Sequence, residues 1–146
     1  MNQNDADRVA AIGEEILKVH RMLRKDLAGL RDGLAAPADS DAFTIRGLPA
    51  RCLAFCSAVT AHHTDEDRSV FPQLAAELPQ LADVLDDIAR DHVLIAGILG
   101  RVRELAENVD ASDTAHMRDE IDGLAAILES HFRWEERRIA GVRFTR

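Results

Sequence analysis

The stretch Leu124-Ala125-Ala126-Ile127-Leu128-Glu129-Ser130-His131-Phe132-Arg133-Trp134-Glu135 fixes the fold class. Leu124, Leu128, His131 and Glu135 follow one another at spacings of four, three and four. At 3.6 residues per turn those positions share one helical face. The apolar half of that face must be buried, so the imidazole and the carboxylate that continue it are carried inward too. A polar group on a solvent face asks for no explanation, but one that prolongs an apolar stripe does, because burying it unpaired is costly.

The same pattern recurs upstream. A first stretch reads Val9, Ile12, Ile16, Val19, Leu23, Leu27 and Leu30, with His20 four after Ile16 and three before Leu23. It is expected to end near Gly33, with a loop over 35–40 around Pro37. A second reads Leu53, Cys56, Val59, then His62 to Glu66, then Val70 and Phe71, where Pro72 ends or kinks it. Pro49 marks either an early kink or a late start. A short helical piece over Gln73 to Leu78 leads to Pro79, which suits a first helical turn. The next helix reads Leu81, Val84, Leu85, Ile88, His92, Ile95, Leu99, Val102 and Leu105. A polar loop over 108–113, with Ser112 or Asp113 as cap, precedes the last helix, which begins its stripe at Met117 and Ile121. The tail from Gly141 is expected to be poorly ordered. The chain thus reads as one all-α domain over 1–146, an up-down-up-down antiparallel four-helix bundle with its helical core over about 6–138. No sequence repeat, low-complexity tract or dividing linker interrupts it.

Composition agrees and narrows the function. Of 146 residues, 47% are hydrophobic and 30% charged, and the net charge is −8. Such an acidic chain repels nucleic-acid phosphates and anionic membrane surfaces, so neither is an expected partner. The start shows no basic-then-apolar leader and no apolar run is long enough to span a bilayer, which leads to a cytosolic expectation. Cys52 and Cys56, four apart, read as two small buried side chains. There is no nucleophile elbow, phosphate loop or Cys-rich metal knuckle.

Every helix therefore carries at least one histidine inward, and two add a carboxylate at i+4 on the same face. A single core histidine is usually a satisfied hydrogen-bonding residue. If about a third of helix positions face the core, four such histidines by chance is about a one-in-a-hundred event. Burying Glu66 and Glu135 without a cation would cost several kcal/mol each, on the order of the penalty for an unpaired buried charge. Mixed imidazole and carboxylate ligands enough for two ions in a bundle core fit a di-iron or di-manganese centre, with zinc as the second choice. His116, early in the last helix, reads as surface.

The blocks Val19-His20-Arg21, His62-His63-Thr64-Asp65-Glu66-Asp67 with Val70-Phe71-Pro72, Asp91-His92, and His131-Phe132-Arg133-Trp134-Glu135-Glu136 resemble the hemerythrin-like, HHE cation-binding family. The resemblance runs from about Val9 to Glu136 and rests on the ordered set H…HxxxE…H…HxxxE. It implies two non-heme irons, with His20, His62, His92 and His131 as terminal ligands and Glu66 and Glu135 as bridges. Oxygen-carrying members have a second histidine four after the third-helix one, where this chain has Ala96. They also carry a carboxylate five after the last histidine, a spacing that Glu136 offers here. Glu135 continues the stripe and Glu136 is turned about 100° from it, so Glu135 is preferred. His63 is a further candidate for the missing nitrogen, or a partner to a ligand, or a solvent-edge pair with Asp67. The function implied is binding or reaction of dioxygen, peroxide or nitric oxide at an open position beside Ala96. The alternative is an iron-, oxygen- or redox-sensing or iron-storage module without turnover.

Overall fold

The structure is a computed structural model that describes residues 3–35, 42–108 and 114–139, with residues 42–46 as backbone. Four long helices carry it: α1 (Gln3–Ala35), α2 (Ala42–Asp65), α4 (Ala82–Asn108) and α5 (Thr114–Arg138). A short α3 (Phe71–Glu77) and a 3₁₀ turn (Pro79–Leu81) join α2 to α4. Packing runs in a closed cycle, α1 on α2, α2 on α4, α4 on α5 and α5 back on α1. The all-helical bundle expected from the periodicity is the fold observed.

Several boundaries differ, each for a physical reason. α1 does not stop at Gly33 but runs to Ala35. A Cβ at Gly33 would lie 2.8 Å from Leu48 Cδ2, so this glycine permits close approach of α2 rather than ending a helix. Pro49 lies inside α2 and does not start it. At the other end of α2, Pro72 has no N–H to give. The chain answers with one π turn, Glu66–Val70, in which the Phe71 N–H reaches back to the Glu66 carbonyl. α3 then starts with Pro72 in its first turn. Pro79 opens the 3₁₀ turn before α4 rather than α4 itself. Of the loops expected over 35–40 and 108–113, Ala35 and Asn108 close α1 and α4 as helix, and the rest, with the cap expected at Ser112 or Asp113 and the tail from Gly141, lies outside the described residues.

The interior has three layers. One apolar cluster fills one end, built around Leu23, Leu30, Val59, Ile95, Ile121 and Leu128. A second fills the other, built around Val9, Ile16, Phe71, Leu74, Leu85 and Ile88. Cys52 and Cys56 are free and buried, and the Cys52 thiol donates to Met117 Sδ at 3.6 Å. Burial pushes the Cys52 thiol up to about 11. Between the two clusters lies a layer of imidazoles and carboxylates. Among the described residues no helix is long and apolar enough to cross a membrane.

Candidate metal centre

The polar layer draws on all four long helices and on the π turn. His20, His63, His92, His131, Glu66 and Glu135 are buried, five of them at 4% exposure or less, and the His62 side chain keeps 8%. Two groups of donors form, each with its ligand-type atoms within 4.8 Å of one another. One holds His63, His92 and His131; the other holds His20, His62, Glu66 and Glu135. Glu66 reaches both, with Oε1 3.3 Å from His92 Nε2 and Oε2 3.5 Å from His62 Nε2. Glu135 Oε1 lies 2.7 Å from His20 Nε2.

The pattern repeats in the two halves of the bundle. On α2 and the π turn, His62 is followed by Glu66 and Asp67; on α5, His131 is followed by Glu135 and Glu136. Each carboxylate pair brackets one imidazole of an adjacent helix. Glu66 faces Nε2 of His92 while Asp67 accepts from its Nδ1 at 2.9 Å. Glu135 faces Nε2 of His20 while Glu136 accepts from its Nδ1 at 2.7 Å. Successive residues of an ideal α-helix diverge by about 100°, and the widened π turn helps Glu66 and Asp67 reach the same ring. The residue after each paired histidine stacks on that same ring: His63 on His92 at 3.8 Å and 10°, Phe132 on His20 at 4.1 Å and 21°.

Three imidazoles thus donate Nδ1–H to a carboxylate, His131 doing so to Asp91 at 2.7 Å. That arrangement selects the tautomer whose Nε2 lone pair points inward. The Nε2 atoms of His20, His62, His63, His92 and His131, and both oxygens of Glu66 and Glu135, are fully buried with no hydrogen-bond partner among the described residues. Orphaned acceptors at this density are not tolerated in a finished core, because each costs about 1–3 kcal/mol when neutral and more when charged. They gather in two groups, each of which could hold a cation where hydrogen bonding supplies no partner. Borderline nitrogen and hard oxygen donors together suit a transition-metal ion such as iron or zinc.

The electrostatics point the same way. Burial pushes the His62 imidazole down to about 4, aided against protonation by His20, His92 and His131. It drives His63 well below the usual histidine range. Burial also lifts Glu66 well above the usual carboxylate range, with the Glu135 charge adding to it. Glu135 is buried as deeply, yet contact with His20 holds it below that range. Neutral imidazoles are the ligand form.

The structure brings together His20, His62, Glu66, His92, His131 and Glu135 as the spacing anticipates. His63 joins them: it is 5% exposed and lies in the three-histidine group, so it is not a solvent-edge partner of Asp67, which serves His92 instead. A nitrogen for the group with His92 is therefore offered from α2, and Ala96 itself is exposed. Glu136 does not enter either group; the helical rotation past Glu135 carries it to the outer nitrogen of His20. His116 is at the surface, as expected, its side chain 63% exposed. Asp91, Glu136 and Phe132 gave no sign of their roles in the sequence, since each acts on a residue of another helix.

A bundle whose interior presents two convergent sets of imidazole and carboxylate donors is a cation-binding domain. The chain belongs to the hemerythrin family: the hemerythrin HHE cation binding domain matches residues 11–142. Among curated proteins and solved structures, none matches the chain.

Proposed function

We propose that the chain is a cytosolic non-heme di-iron protein that binds or reacts with dioxygen, peroxide or nitric oxide. The observation that carries this is the set of buried, unpartnered Nε2 and carboxylate oxygen atoms gathered in two groups. His63, His92 and His131 would hold one ion, His20 and His62 the other, with Glu66 and Glu135 shared. Iron bound there supplies the electrons and the open coordination position that such small ligands need.

The chain's own residues do the rest. With His63 in place, the three-histidine group would offer three nitrogens against the two of His20 and His62, and the position open to a ligand would fall on the His20–His62 side. This moves it from the place beside Ala96 that the family resemblance suggests. Asp67, Asp91 and Glu136 hold the ring orientations through Nδ1. Ile16, Leu23, Val59, Ile88, Ile95 and Leu128 are all buried and keep bulk water from the pocket. Zinc is the second choice of metal. No nucleic acid or membrane partner is proposed.

The test is elemental analysis with an ultraviolet–visible spectrum on protein produced with iron supplied. About two irons per chain, by the ligand count of such centres, with charge-transfer absorption, and peroxide or nitric-oxide consumption that tracks iron content, is the expected result. One zinc, or no metal, overturns the reading. A sensing or storage module without turnover is the second reading. It is favoured by the buried carboxylates, which tie fold stability to metal occupancy. An iron-loaded sample inert to peroxide and nitric oxide, yet much less stable when stripped, would select it.

A further inference from the structure

The carboxylates behind the three braced imidazoles are not held alike. Asp67 and Asp91 each meet their histidine and, among the described residues, pair with no lysine or arginine. Glu136 is clamped. Arg24 donates from Nη1 to Glu136 Oε2 at 2.8 Å and from Nη2 to Oε1 at 3.2 Å. Arg24 is in turn fixed by Glu129, which accepts from its Nε at 2.8 Å and its Nη2 at 3.1 Å. Glu129 also accepts from Arg133 at 2.9 Å. The Arg24 guanidinium lies 5.3 Å from the Phe132 ring, the same ring that stacks on His20. In the related half of the bundle the position four after His92 is Ala96, which can clamp nothing.

A glutamate has three rotatable side-chain bonds, and one tied only to an imidazole N–H loses that geometry readily to solvent. A planar guanidinium that grips both its oxygens removes the freedom, and a second fork onto Glu129 removes Arg24's own. The result is a rigid line from the α1–α5 surface to the Nδ1 of His20. A residue behind a metal-bound imidazole fixes its orientation and basicity, and its loss typically costs 10–100-fold in metal affinity.

We propose that Arg24, acting through Glu136, is a positioning residue for the His20 side of the centre, and that the His63–His92–His131 side is indifferent to it. This rests on the two-metal reading given above. The test is release of ferrous iron from the anaerobically loaded chain to a chelator, followed in time, together with the thermal midpoint of the metal-free chain. Wild type is expected to release in two phases. Arg24→Met and Glu136→Gln should each quicken one phase about tenfold and leave the other alone. Asp91→Asn should quicken the phase they spare. Because Arg24 works through Glu136, the double variant should release no faster than Glu136→Gln alone, and Arg24→Lys should recover only part of the loss. Equal quickening of both phases, tracking a lowered metal-free midpoint, would show a merely structural role and overturn the proposal. So would Arg24→Met releasing both ions as wild type does. Wild type that takes up no iron sinks the two-metal reading as well, a result that no behaviour of the variants can imitate.

Discussion

The two halves of the bundle, α1–α2 and α4–α5, carry the same device and differ at several places, among them Asp91, which braces His131 and has Val19 as its counterpart. Each half offers one histidine alone and one followed at i+4 by a carboxylate of the donor layer and then a bracing one. In the first half the paired histidine is followed by His63; in the second it is followed by Phe132. Both rings stack on the lone histidine of the other half, but only one has a nitrogen to offer. Four residues after the lone histidine stands Arg24 in the first half and Ala96 in the second. The two halves thereby present different donor sets, three imidazoles in one group and two imidazoles with two carboxylates in the other. The lesson is that the two donor groups differ through one stacked ring rather than through the ligand types the halves share.

The most direct way to break the comparison is to make the halves alike. His63→Phe leaves two histidines on each side, and the ion held with His92 and His131 is expected to bind more than about 100-fold more weakly, beyond the range seen for residues behind a ligand. Iron content after gel filtration reads this; a variant that retains two tightly held ions would show that His63 is a packing residue. The converse, Phe132→His, adds a nitrogen on the His20–His62 side. Iron content should hold while reaction with peroxide or nitric oxide falls at least about tenfold, the scale on which one lost open position acts.

Removing metal from both halves at once is the next largest change. With each iron at about a hundred times its dissociation constant, linkage gives about 2.7 kcal/mol per ion. For a chain of this length that is a rise in thermal midpoint of about 5–11 °C for each ion bound, at about 2–4 °C per kcal/mol. Glu66→Gln should narrow the gap from both ends, raising the midpoint of the metal-free chain and lowering metal affinity, because its carboxylate is the buried charge the metal neutralises.

The metal-free chain should also respond to acid. An unfolded histidine titrates near 6.5, whereas burial holds His62 at about 4 in the folded chain. The folded state binds fewer protons than the unfolded one between those values. The His62 contribution to stability is therefore full above about pH 6.5 and is lost as pH falls toward about 4. Thermal midpoints across that window measure it, and His62→Gln should flatten the profile; an unchanged slope would place the titration elsewhere. The smallest effect is expected from Ala96→Arg, which sets a cation four after His92 with Asp67 on the neighbouring turn. An exposed pair of that kind contributes about 0–1 kcal/mol, visible as a few-fold slower release of iron from the His92 side.

The sequence by itself determined the helical class, the inward histidines and the choice of Glu135 over Glu136. All three follow from a 3.6-residue period applied within one helix. The stripe through Leu124, Leu128 and His131 passes through Glu135 and no other carboxylate nearby. Periodicity placed the end of α1 near Gly33, two residues short of Ala35, but not the close approach of Leu48 that this glycine admits. Only the tertiary structure decided what lies between helices. His63 sits beside His62, so helical rotation alone would turn it away from the site, yet it faces α4 and stacks on His92. Asp91 adjoins His92 in the chain and braces His131 on α5 instead. The repeat relating the halves was invisible because only the residues touching the centre are shared, scattered among unrelated surface positions. A helix specifies its own faces through local geometry, but which imidazole meets which carboxylate is set by the packing of four helices around a polar layer.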